Sequence, residues 1–416
     1  MNRVKALMLV LLLGSTMYAA KTKYNNPVIG RSVPDPTVIR AQDGYFYLYG
    51  TEDIHNVPIF RSKNLVKWLY AGTAFTDVTR PSMVPGGGIW APDINYINGK
   101  YVMYYSMSVW GGLETCGIGV ASADRPEGPF TDHGKLFISK EIGVLNSIDP
   151  FYIEDNGHKY LFWGSFRGVY GIELAEDGLS LKQGAQKKQI AGWAIEATYI
   201  IKHGNYYYLF GSRGTCCDGA NSTYRVVMTR SENLFGPYLD KDGDNILNGY
   251  NYSPFLKGNE TVAGPGHNSE FIQDATGQYW ILYHGYTKKD PGLGRQVFLD
   301  KVYWGVDEWP YIKNGEPSAE EERPVFATTG IDELEETETQ SNNISIWPRI
   351  VKDNFTITEN QSKSFNWSIV SLNGEVIKIG KASASAEIDC YDIPEGMYMV
   401  TVTSAKGKSV AKIIKY

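Results

Sequence analysis

Five strand-like segments rich in aromatic residues recur along this chain. Each begins with a glycine and continues in aromatic and aliphatic residues, the composition of a buried or half-buried β-strand. The segments are GYFYLYG from Gly44, GKYVMYYS from Gly99, GHKYLFWGS from Gly157, GNYYYLFGS from Gly204 and GQYWILYHG from Gly277. Between them, no apolar pattern with the helical period extends beyond two turns, so interleaved helices are not expected.

The spacing of these segments predicts the architecture. From Tyr49 to Tyr283, the aromatic residues that close the segments are about 58 residues apart on average, somewhat more than the roughly 40–50 residues of familiar propeller blades. We therefore expect an all-β fold, with a five-bladed β-propeller of four-stranded blades over residues 24–325. A β-sandwich whose aromatic strands are similar by accident is the alternative.

An acidic residue stands 12 to 14 positions ahead of the aromatic residue that closes each segment. The five acidic residues are Asp35, Asp93, Asp149, Glu196 and Glu270. Carboxylates that recur in phase with a structural repeat are expected to converge at one place. Glycoside hydrolysis needs such convergence, because one carboxylic acid protonates the leaving oxygen while another carboxylate assists. The sequence therefore predicts an enzyme of the glycosidase class.

The N-terminal residues differ from the repeat region. Residues 1–20 have a secretory signal pattern, in which Arg3 and Lys5 precede an apolar run that is too short to span a membrane. No later segment approaches 18 uninterrupted apolar residues, so a membrane span is not expected. The net charge of −6 and the lack of a basic stripe argue against a nucleic-acid partner.

The composition changes again after residue 325. Residues 326–342 are acidic and lack a core-forming pattern, which is typical of a linker. Residues 343–416 alternate apolar and polar positions in short strands, which predicts a small β-sandwich-like module.

The four cysteines predict no essential disulfide. Cys216 and Cys217 are adjacent, so their Cα atoms are about 3.8 Å apart, below the usual disulfide range of roughly 4.4–6.8 Å. Cys116 and Cys390 are expected to lie in different domains. No metal-ligand spacing such as Cys-x-x-Cys occurs.

The sequence around the acidic residues resembles glycoside hydrolase family 43, and its α-L-arabinanase members in particular. The matching segments are SVPDP from Ser32, IWAPD from Ile89, NSIDP from Asn146, IEA from Ile195 and GPGHN from Gly264. The resemblance implies a secreted inverting glycosidase that cleaves α-1,5-linked L-arabinan within the chain. The alternatives are an exo-acting α-L-arabinofuranosidase or β-xylosidase with the same three acids, and a non-catalytic glycan-binding propeller. Arg167 replaces a tryptophan of the usual Gly-Ser-Phe-Trp, which leaves endo versus exo action open.

The resemblance assigns a role to three acids. Asp35, whose flanking prolines favour extended backbone, would be the general base that activates water. Glu196 lies among apolar residues, where desolvation raises a carboxyl pKa as a general acid requires, and would be that acid. Asp149 would orient Glu196 and keep it protonated. Inversion requires roughly 6.5–9.5 Å between acid and base. A turn or strand-end residue without a catalytic role is the alternative for each.

The resemblance also implies substrate and metal contacts. Trp90 would pack against a sugar face, and Asp93, Asn146 and Ser165 would line the sugar pocket. His267 would anchor a metal, commonly calcium, whose other ligands are mostly water, although the chemistry itself requires no metal. Because hard cations prefer oxygen ligands, a hydrogen-bonded histidine in the pocket floor is the alternative.

Residues 343–416 resemble the C-terminal sorting domain of type IX secretion cargo. The matching segments are WPRIVKDNFTI, SLNGEVIKIG, DIPEGMYMVTV and KSVAKIIKY, although the chain has Trp347-Pro348-Arg349-Ile350 where that domain usually begins with Tyr-Pro-Asn-Pro. The resemblance implies secretion or a cell-surface location, with the secretion machinery as one partner. Plant cell-wall arabinan, or an arabino- or xylo-oligosaccharide, would be the other partner of a monomeric protein. A carbohydrate-binding appendage is the alternative for this module.

Overall fold

The described residues of the computed structural model are 23–326, 344–347, 350–351, 353–359, 364–371, 375–405 and 407–415. They belong to two compact units, of which the first ends at Phe326 and the second contains the residues from 344 onward. The predicted signal peptide, residues 1–20, lies outside the described residues. The same holds for the predicted linker from residue 327 onward.

The first unit consists of five antiparallel sheets that follow one another along the chain. Sheet one contains β2 Thr37–Arg40, β3 Phe46–Tyr49, β4 Pro58–Ser62 and β5 Leu69–Thr73. Sheet two contains β6 Gly88–Ile97, β7 Lys100–Ser108, β8 Gly117–Ala123 and β9 Thr131–Ile138. Sheet three contains β10 Phe151–Asp155, β11 His158–Trp163, β12 Val169–Glu173 and β13 Lys188–Ala191.

The last two sheets continue the same pattern. Sheet four contains β14 Glu196–His203, β15 Tyr206–Arg213, β16 Arg225–Ser231 and β17 Ser253–Leu256. Sheet five contains β18 Val262–Gly266, β19 Ile272–Gln273, β20 Tyr279–Thr287, β21 Gln296–Trp304 and β22 Pro310–Tyr311. In addition, β1 Lys23–Asn25 pairs with β23 Glu320–Glu322. The helices are α1 Ser139–Ile142 and the 3₁₀ turns Gly219–Asn221, Ile246–Asn248, Pro291–Leu293 and Lys313–Gly315.

The five aromatic segments form the second strand of the five sheets, as the strand prediction required. Their side chains are buried on both faces of the strand; in β3, for example, all four residues are fully buried. This burial explains why the segments are nearly continuous in apolar and aromatic residues, since a strand with one solvated face would alternate. The all-β prediction is confirmed.

The apolar cores of the first unit lie between neighbouring sheets. One core joins sheets one and two, a second joins sheets two and three, and the largest joins sheets three, four and five. A further core joins sheet five to sheet one, with Phe46 and Leu48 of β3 and Trp280 and Leu282 of β20 among its members. Every sheet therefore packs against the sheets before and after it, and the last sheet packs against the first.

The second unit has two sheets that share one apolar core. The three-stranded sheet contains β24 Ile344–Trp347, β26 Asn354–Glu359 and β29 Ser385–Asp389. The five-stranded sheet contains β25 Ile350–Val351, β27 Phe365–Ser371, β28 Val376–Ala382, β30 Gly396–Ser404 and β31 Gly407–Lys415. Phe355 and Ile357 of the first sheet and Ile369, Val400 and Ile413 of the second are all fully buried in the shared core.

Candidate active site

A chain of hydrogen bonds connects each sheet of the first unit to the next. Its members at or near the ends of the aromatic strands are Thr51, Ser106, Ser165, Ser212 and His284. Four of these side chains accept a hydrogen bond from a backbone N–H group of the next sheet. The donor and acceptor pairs are Ala91 and Thr51 at 2.7 Å, Asp149 and Ser106 at 2.8 Å, His267 and Ser212 at 2.9 Å, and Asp35 and His284 at 3.1 Å. The fifth, Ser165, donates to Glu196 at 2.6 Å. The donors and acceptors run from each sheet to the following one, and His284 returns the chain to sheet one.

The backbone is left-handed where the site residues lie. Asp35, Asp149 and His267 have φ values of 53°, 59° and 49°, a conformation that residues other than glycine rarely adopt and that clusters at functional sites. The expectation of extended backbone at Asp35 is therefore wrong. A hydrogen bond from the N–H of Asp35 to His284 Nδ1 holds the left-handed turn. Extended backbone would point that N–H in another direction.

Asp35 is surrounded by nitrogen-bearing side chains. Its Oδ1 lies 3.2 Å from Arg295 Nη1, 3.2 Å from His267 Nδ1 and 3.1 Å from His284 Nδ1. Its Oδ2 accepts a hydrogen bond from Thr51 Oγ1 at 2.5 Å. Burial alone would raise the pKa of Asp35, but Arg295 and His267 outweigh burial and hold that pKa well below its ordinary value. Asp35 is therefore an anion at neutral pH.

Glu196 has a different environment. Its Oε2 accepts the hydrogen bond from Ser165 Oγ, and its Oε1 accepts one from the Tyr224 hydroxyl at 2.7 Å. Burial raises the pKa of Glu196, and the negative charge of Asp35 adds to this, although the two hydrogen bonds and His267 oppose it. The net shift is upward, so Glu196 keeps its proton to higher pH than an exposed glutamic acid.

Asp149 acts on the backbone next to Glu196. Its Oδ2 accepts a hydrogen bond from the N–H of Ala197 at 3.1 Å. Burial, followed by the charges of Glu196 and Asp35, raises the pKa of Asp149 to about 7, while His267 opposes the shift. Two interacting acids with raised pKa values titrate as a pair. Asp149 and Glu196 together thus hold a proton near neutral pH.

His267 is electrostatically coupled to all three acids. Burial lowers its pKa, but Asp35 first, and then Asp149 and Glu196, reverse this and raise it. Among the described residues, no three or more His, Cys, Asp or Glu side chains cluster as metal ligands. The described side chains therefore do not fit a metal site in which the protein supplies most of the ligands. The side chain of His267 is 16% exposed. Because Nδ1 of His267 lies beside Asp35, Nε2 is the nitrogen left for a cation whose remaining ligands are water. Such a cation would bind the neutral imidazole and so would have to displace the proton that the acids favour.

The residues predicted to contact substrate have distinct environments. Trp90 lies in β6, with its ring 5.5 Å from that of Trp110, which is 78% exposed. Asn146 Nδ2 donates to the carbonyl oxygen of Ser165 at 3.1 Å. Since Ser165 in turn donates to Glu196, the structure brings Asn146 and Ser165 to that acid.

Asp93 is buried in a pair with Glu270. Asp93 Oδ2 accepts from Asn95 Nδ2 at 2.7 Å and from the N–H of Tyr152 at 2.8 Å. Glu270 accepts from Thr37 Oγ1 at 2.9 Å and from the N–H of Val38 at 3.0 Å. Burial raises the pKa of both acids, and Glu270 adds to the shift of Asp93. The pair therefore holds together residues from four of the five sheets.

Glu270→Gln is expected to weaken the pH dependence of folding stability. Because Asp93 and Glu270 have raised pKa values when folded, their contribution to stability is complete below the unfolded carboxyl pKa values and is lost as pH rises toward the folded values. A neutral glutamine removes one of the two titrating groups. Melting temperatures between pH 4.5 and 8.5 would fall less steeply in the variant than in the wild type, and the exposed-site variant Glu232→Gln should follow the wild type. Parallel curves for Glu270→Gln and wild type would contradict the prediction.

Cys216 and Cys217 form a disulfide in the connection between β15 and β16, so the expectation that they do not pair is wrong. Their Cα atoms are 3.8 Å apart. The range used to exclude the bond describes cysteines from separate segments, whereas adjacent cysteines close a small ring with their own peptide unit. Cys116 and Cys390 are free, buried and in different units.

Sequence reasoning missed four partners of the acids: Arg295, His284, Thr51 and Tyr224. A signal existed for two of them, because Thr51 and His284 stand close after the aromatic residue that closes their segment, as Ser106, Ser165 and Ser212 do. Arg295 comes from the connection between β20 and β21, and no repeated pattern marks it.

Comparisons with known proteins identify the families that the two parts of the chain match. Residues 24–310 match glycosyl hydrolases family 43, and residues 345–416 match the secretion system C-terminal sorting domain. An extracellular exo-α-(1→5)-L-arabinofuranosidase of Cellvibrio japonicus is 33% identical over 68% of this chain and 87% of its own length. An extracellular endo-α-(1→5)-L-arabinanase of Bacillus subtilis is also 33% identical, over 66% of this chain and 86% of its own.

Solved structures give the same result. The α-L-arabinanase of Cellvibrio cellulosa in complex with arabinohexaose is 30% identical, covers 68% of this chain and 96% of its own, and has a TM-score of 0.62. A sorting domain places the protein among those that are secreted or located at the cell surface. Within the described residues, no helix has the length and apolar character to cross a membrane. The chain belongs to glycosyl hydrolases family 43.

Proposed function

We propose that the protein hydrolyses α-1,5-L-arabinofuranosidic linkages in arabinan with inversion at the anomeric carbon. The observation that carries this proposal is the opposite shift of two neighbouring acids: the pKa of Asp35 is lowered and the pKa of Glu196 is raised. Acids whose environments separate their pKa values supply a base and an acid at the same pH. The arabinan-degrading activities named for the relatives support the substrate class.

In this proposal Asp35 is the general base. Its carboxylate, ionised because Arg295 and His267 stabilise the anion, takes a proton from the attacking water. Glu196 is the general acid and gives its proton to the departing glycosidic oxygen. Asp149 orients Glu196 through the N–H of Ala197 and opposes its ionisation. Hydrogen bonds from Ser165 and Tyr224 fix the direction in which the Glu196 carboxyl faces.

We also propose that the five sheets are the blades of a five-bladed β-propeller over residues 24–325. The cores between consecutive sheets and the hydrogen bonds that return from His284 to Asp35 support a closed ring. Residues 1–20 would be a signal peptide and residues 326–342 a linker. Residues 343–416 would form a β-sandwich-like sorting module that the secretion machinery recognises. We propose a monomer.

Four residues complete the proposed pocket. Trp90 offers its ring to a sugar face, beside the exposed Trp110. Asn146 and Ser165 shape the pocket by holding Glu196. Asp93 contributes indirectly, because its hydrogen bond from Tyr152 fixes β6, the strand that carries Trp90.

A calcium ion with His267 as its protein ligand and water as its other ligands is part of the proposal, although no step of hydrolysis depends on it. Bound calcium would supply positive charge beside the carboxylates. We expect millimolar calcium to raise the melting temperature of chelator-treated wild type, because a ligand that binds only the folded state stabilises it. His267→Ala should abolish that increase. An equal increase in both proteins would locate the calcium elsewhere.

The proposed function is tested by incubating the purified protein with debranched linear arabinan and sizing the early products. Mixed short oligosaccharides with the inverted anomer, measured by proton NMR in the first minutes, would establish an inverting endo-acting enzyme. The absence of any product, with arabinan binding retained, would replace the proposal by a non-catalytic glycan-binding propeller.

Exo action is the second candidate. It is favoured by the exo-acting relative from Cellvibrio japonicus and by a solved exo-1,5-α-L-arabinanase from a bovine ruminal metagenomic library, which is 31% identical, covers 70% of this chain and 98% of its own, and has a TM-score of 0.60. Release of a single short product from the start would favour this candidate. Arabinoxylan-derived oligosaccharides, tested in parallel, would detect the β-xylosidase alternative.

A further inference from the structure

Two exposed aromatic side chains meet beside the segment that carries Glu196. Trp193 and Tyr250 are 51% and 53% exposed, and their ring centroids are 4.4 Å apart with an interplanar angle of 83°. An edge-to-face contact of this kind holds both rings in a defined orientation. Single exposed aromatic residues are ordinary, but a pair in fixed contact forms an apolar platform.

Chain geometry places this platform next to the catalytic acid. Trp193 precedes Glu196 by three residues, so their Cα atoms are within about 11 Å of each other. The intervening segment is fixed, because the N–H of Phe166 donates to the carbonyl of Ile195 at 3.0 Å. The N–H of Gly192 donates to the carbonyl of Ile246 at 3.2 Å, which ties the Trp193 segment to the 3₁₀ turn that leads to Tyr250.

Arg213 connects the platform to the site from a second direction. Its guanidinium lies 4.4 Å from the ring centroid of Tyr250 and 5.0 Å from that of Tyr252, and it donates a hydrogen bond to the Tyr252 hydroxyl. Arg213 directly follows Ser212, which is paired with Glu196 across β14 and β15. Cation–π contact and hydrogen bonding keep Tyr250 in place before any ligand arrives. The platform is therefore preorganised and continuous with the catalytic strands.

We propose that Trp193 and Tyr250 form a subsite for the arabinan chain on the leaving-group side of the cleavage point. The inference rests on the proposed function, since it takes Glu196 as the group that protonates the departing oxygen. The departing sugar lies on the side of that acid, and the platform borders the acid. Furanose rings present C–H groups that pack on aromatic faces, and the rim around the rings stays open to solvent for the sugar hydroxyl groups.

The test compares a long and a short substrate in the full chain. Debranched arabinan extends past Glu196 on the leaving-group side, whereas α-L-arabinofuranosyl fluoride has a single atom there. Trp193→Ala and Tyr250→Ala should each lower the ratio of kcat/KM for arabinan to kcat/KM for the fluoride by about three- to tenfold, the size of an aromatic contact. Trp193→Phe, which keeps an aromatic ring, should restore most of the ratio.

Tyr311→Ala is the matched control. Tyr311 is 48% exposed and pairs with Tyr303 of β21. In the same strand, Val297 pairs with His284. Six residues separate Val297 from Tyr303, which places Tyr303 about 20 Å along the strand from the site. This variant should leave the ratio unchanged.

An unchanged ratio in Trp193→Ala and Tyr250→Ala would overturn the inferred subsite while wild-type hydrolysis of arabinan upheld the proposed function. If wild type releases no sugar from arabinan, the proposed function fails, and retardation in arabinan-containing native gels becomes the readout. Weaker retardation of the two variants than of Tyr311→Ala would then keep the two rings as an arabinan contact but overturn the assignment to a leaving-group side, and equal retardation would overturn both.

Discussion

Asp35→Asn is expected to lower kcat by about 10²-fold or more on arabinan and on an aryl arabinofuranoside alike. An asparagine cannot take the proton of the attacking water, and every substrate needs that water whatever its leaving group. The measurement is initial-rate kinetics on both substrates, with the same enzyme preparation and at the pH of maximal wild-type activity.

The design has to separate lost chemistry from lost folding. The variant leaves Arg295 without its carboxylate partner at 3.2 Å, and an unpaired buried charge destabilises a protein. Melting temperature and circular dichroism therefore accompany the kinetics, and rates are measured well below the melting transition. Asp53→Asn is the matched control, because Asp53 also interacts electrostatically with Arg295 but is not a partner of Asp35. A folded Asp35→Asn protein with near wild-type kcat would remove Asp35 from the role of base.

The strands of the first unit were predictable because their signal is local. Each aromatic segment is buried on both faces in the structure, and burial of that kind requires a run of consecutive apolar residues. The repeat period then indicated five similar sheets. The sheets follow one another along the chain in the order of the repeat.

The repeat placed the acids in phase with the strands, but it did not indicate their partners or that Asp93 and Glu270 pair apart from the other three acids. Asp35 meets His284 and Arg295 across sequence separations of 249 and 260 residues. Such contacts arise only when sheet five returns to sheet one, and no short sequence pattern encodes them. The direction of the Asp35 pKa shift depends on these partners, so sequence alone could suggest which acid is the base only through family resemblance.

Two errors came from applying a general rule without its local context. Proline on both sides favours extended backbone at Asp35, yet a hydrogen bond to His284 holds a left-handed turn. The usual Cα separation in disulfides excludes adjacent cysteines, yet Cys216 and Cys217 are bonded. In both cases the rule describes the average residue, and the observed geometry is decided by contacts within a turn or a loop.

Unlike Asp35→Asn, Glu196→Gln should lower activity to an extent that depends on the leaving group. On arabinan, whose departing oxygen needs a proton, kcat should fall by about 10²-fold or more. On an aryl substrate with a nitrophenolate leaving group, which departs without protonation, the loss should be several-fold at most. The contrast between the two substrates identifies Glu196 as the acid, because a variant with a damaged pocket would lose activity on both.

The pH dependence gives an independent check on the same residue. Wild-type hydrolysis of arabinan needs Glu196 protonated, and burial raises its pKa while the coupled Asp149 has a pKa of about 7. Activity should therefore decline on the alkaline side as Glu196 and the coupled Asp149 lose their proton. At low pH activity should decline only when Asp35, whose pKa is lowered, gains a proton. On arabinan, the residual activity of Glu196→Gln should lack the decline assigned to Glu196. Glu232→Gln, at an exposed site, should keep the wild-type profile on both substrates. An unchanged alkaline decline in Glu196→Gln would assign that titration to another group and leave the acid to be found elsewhere.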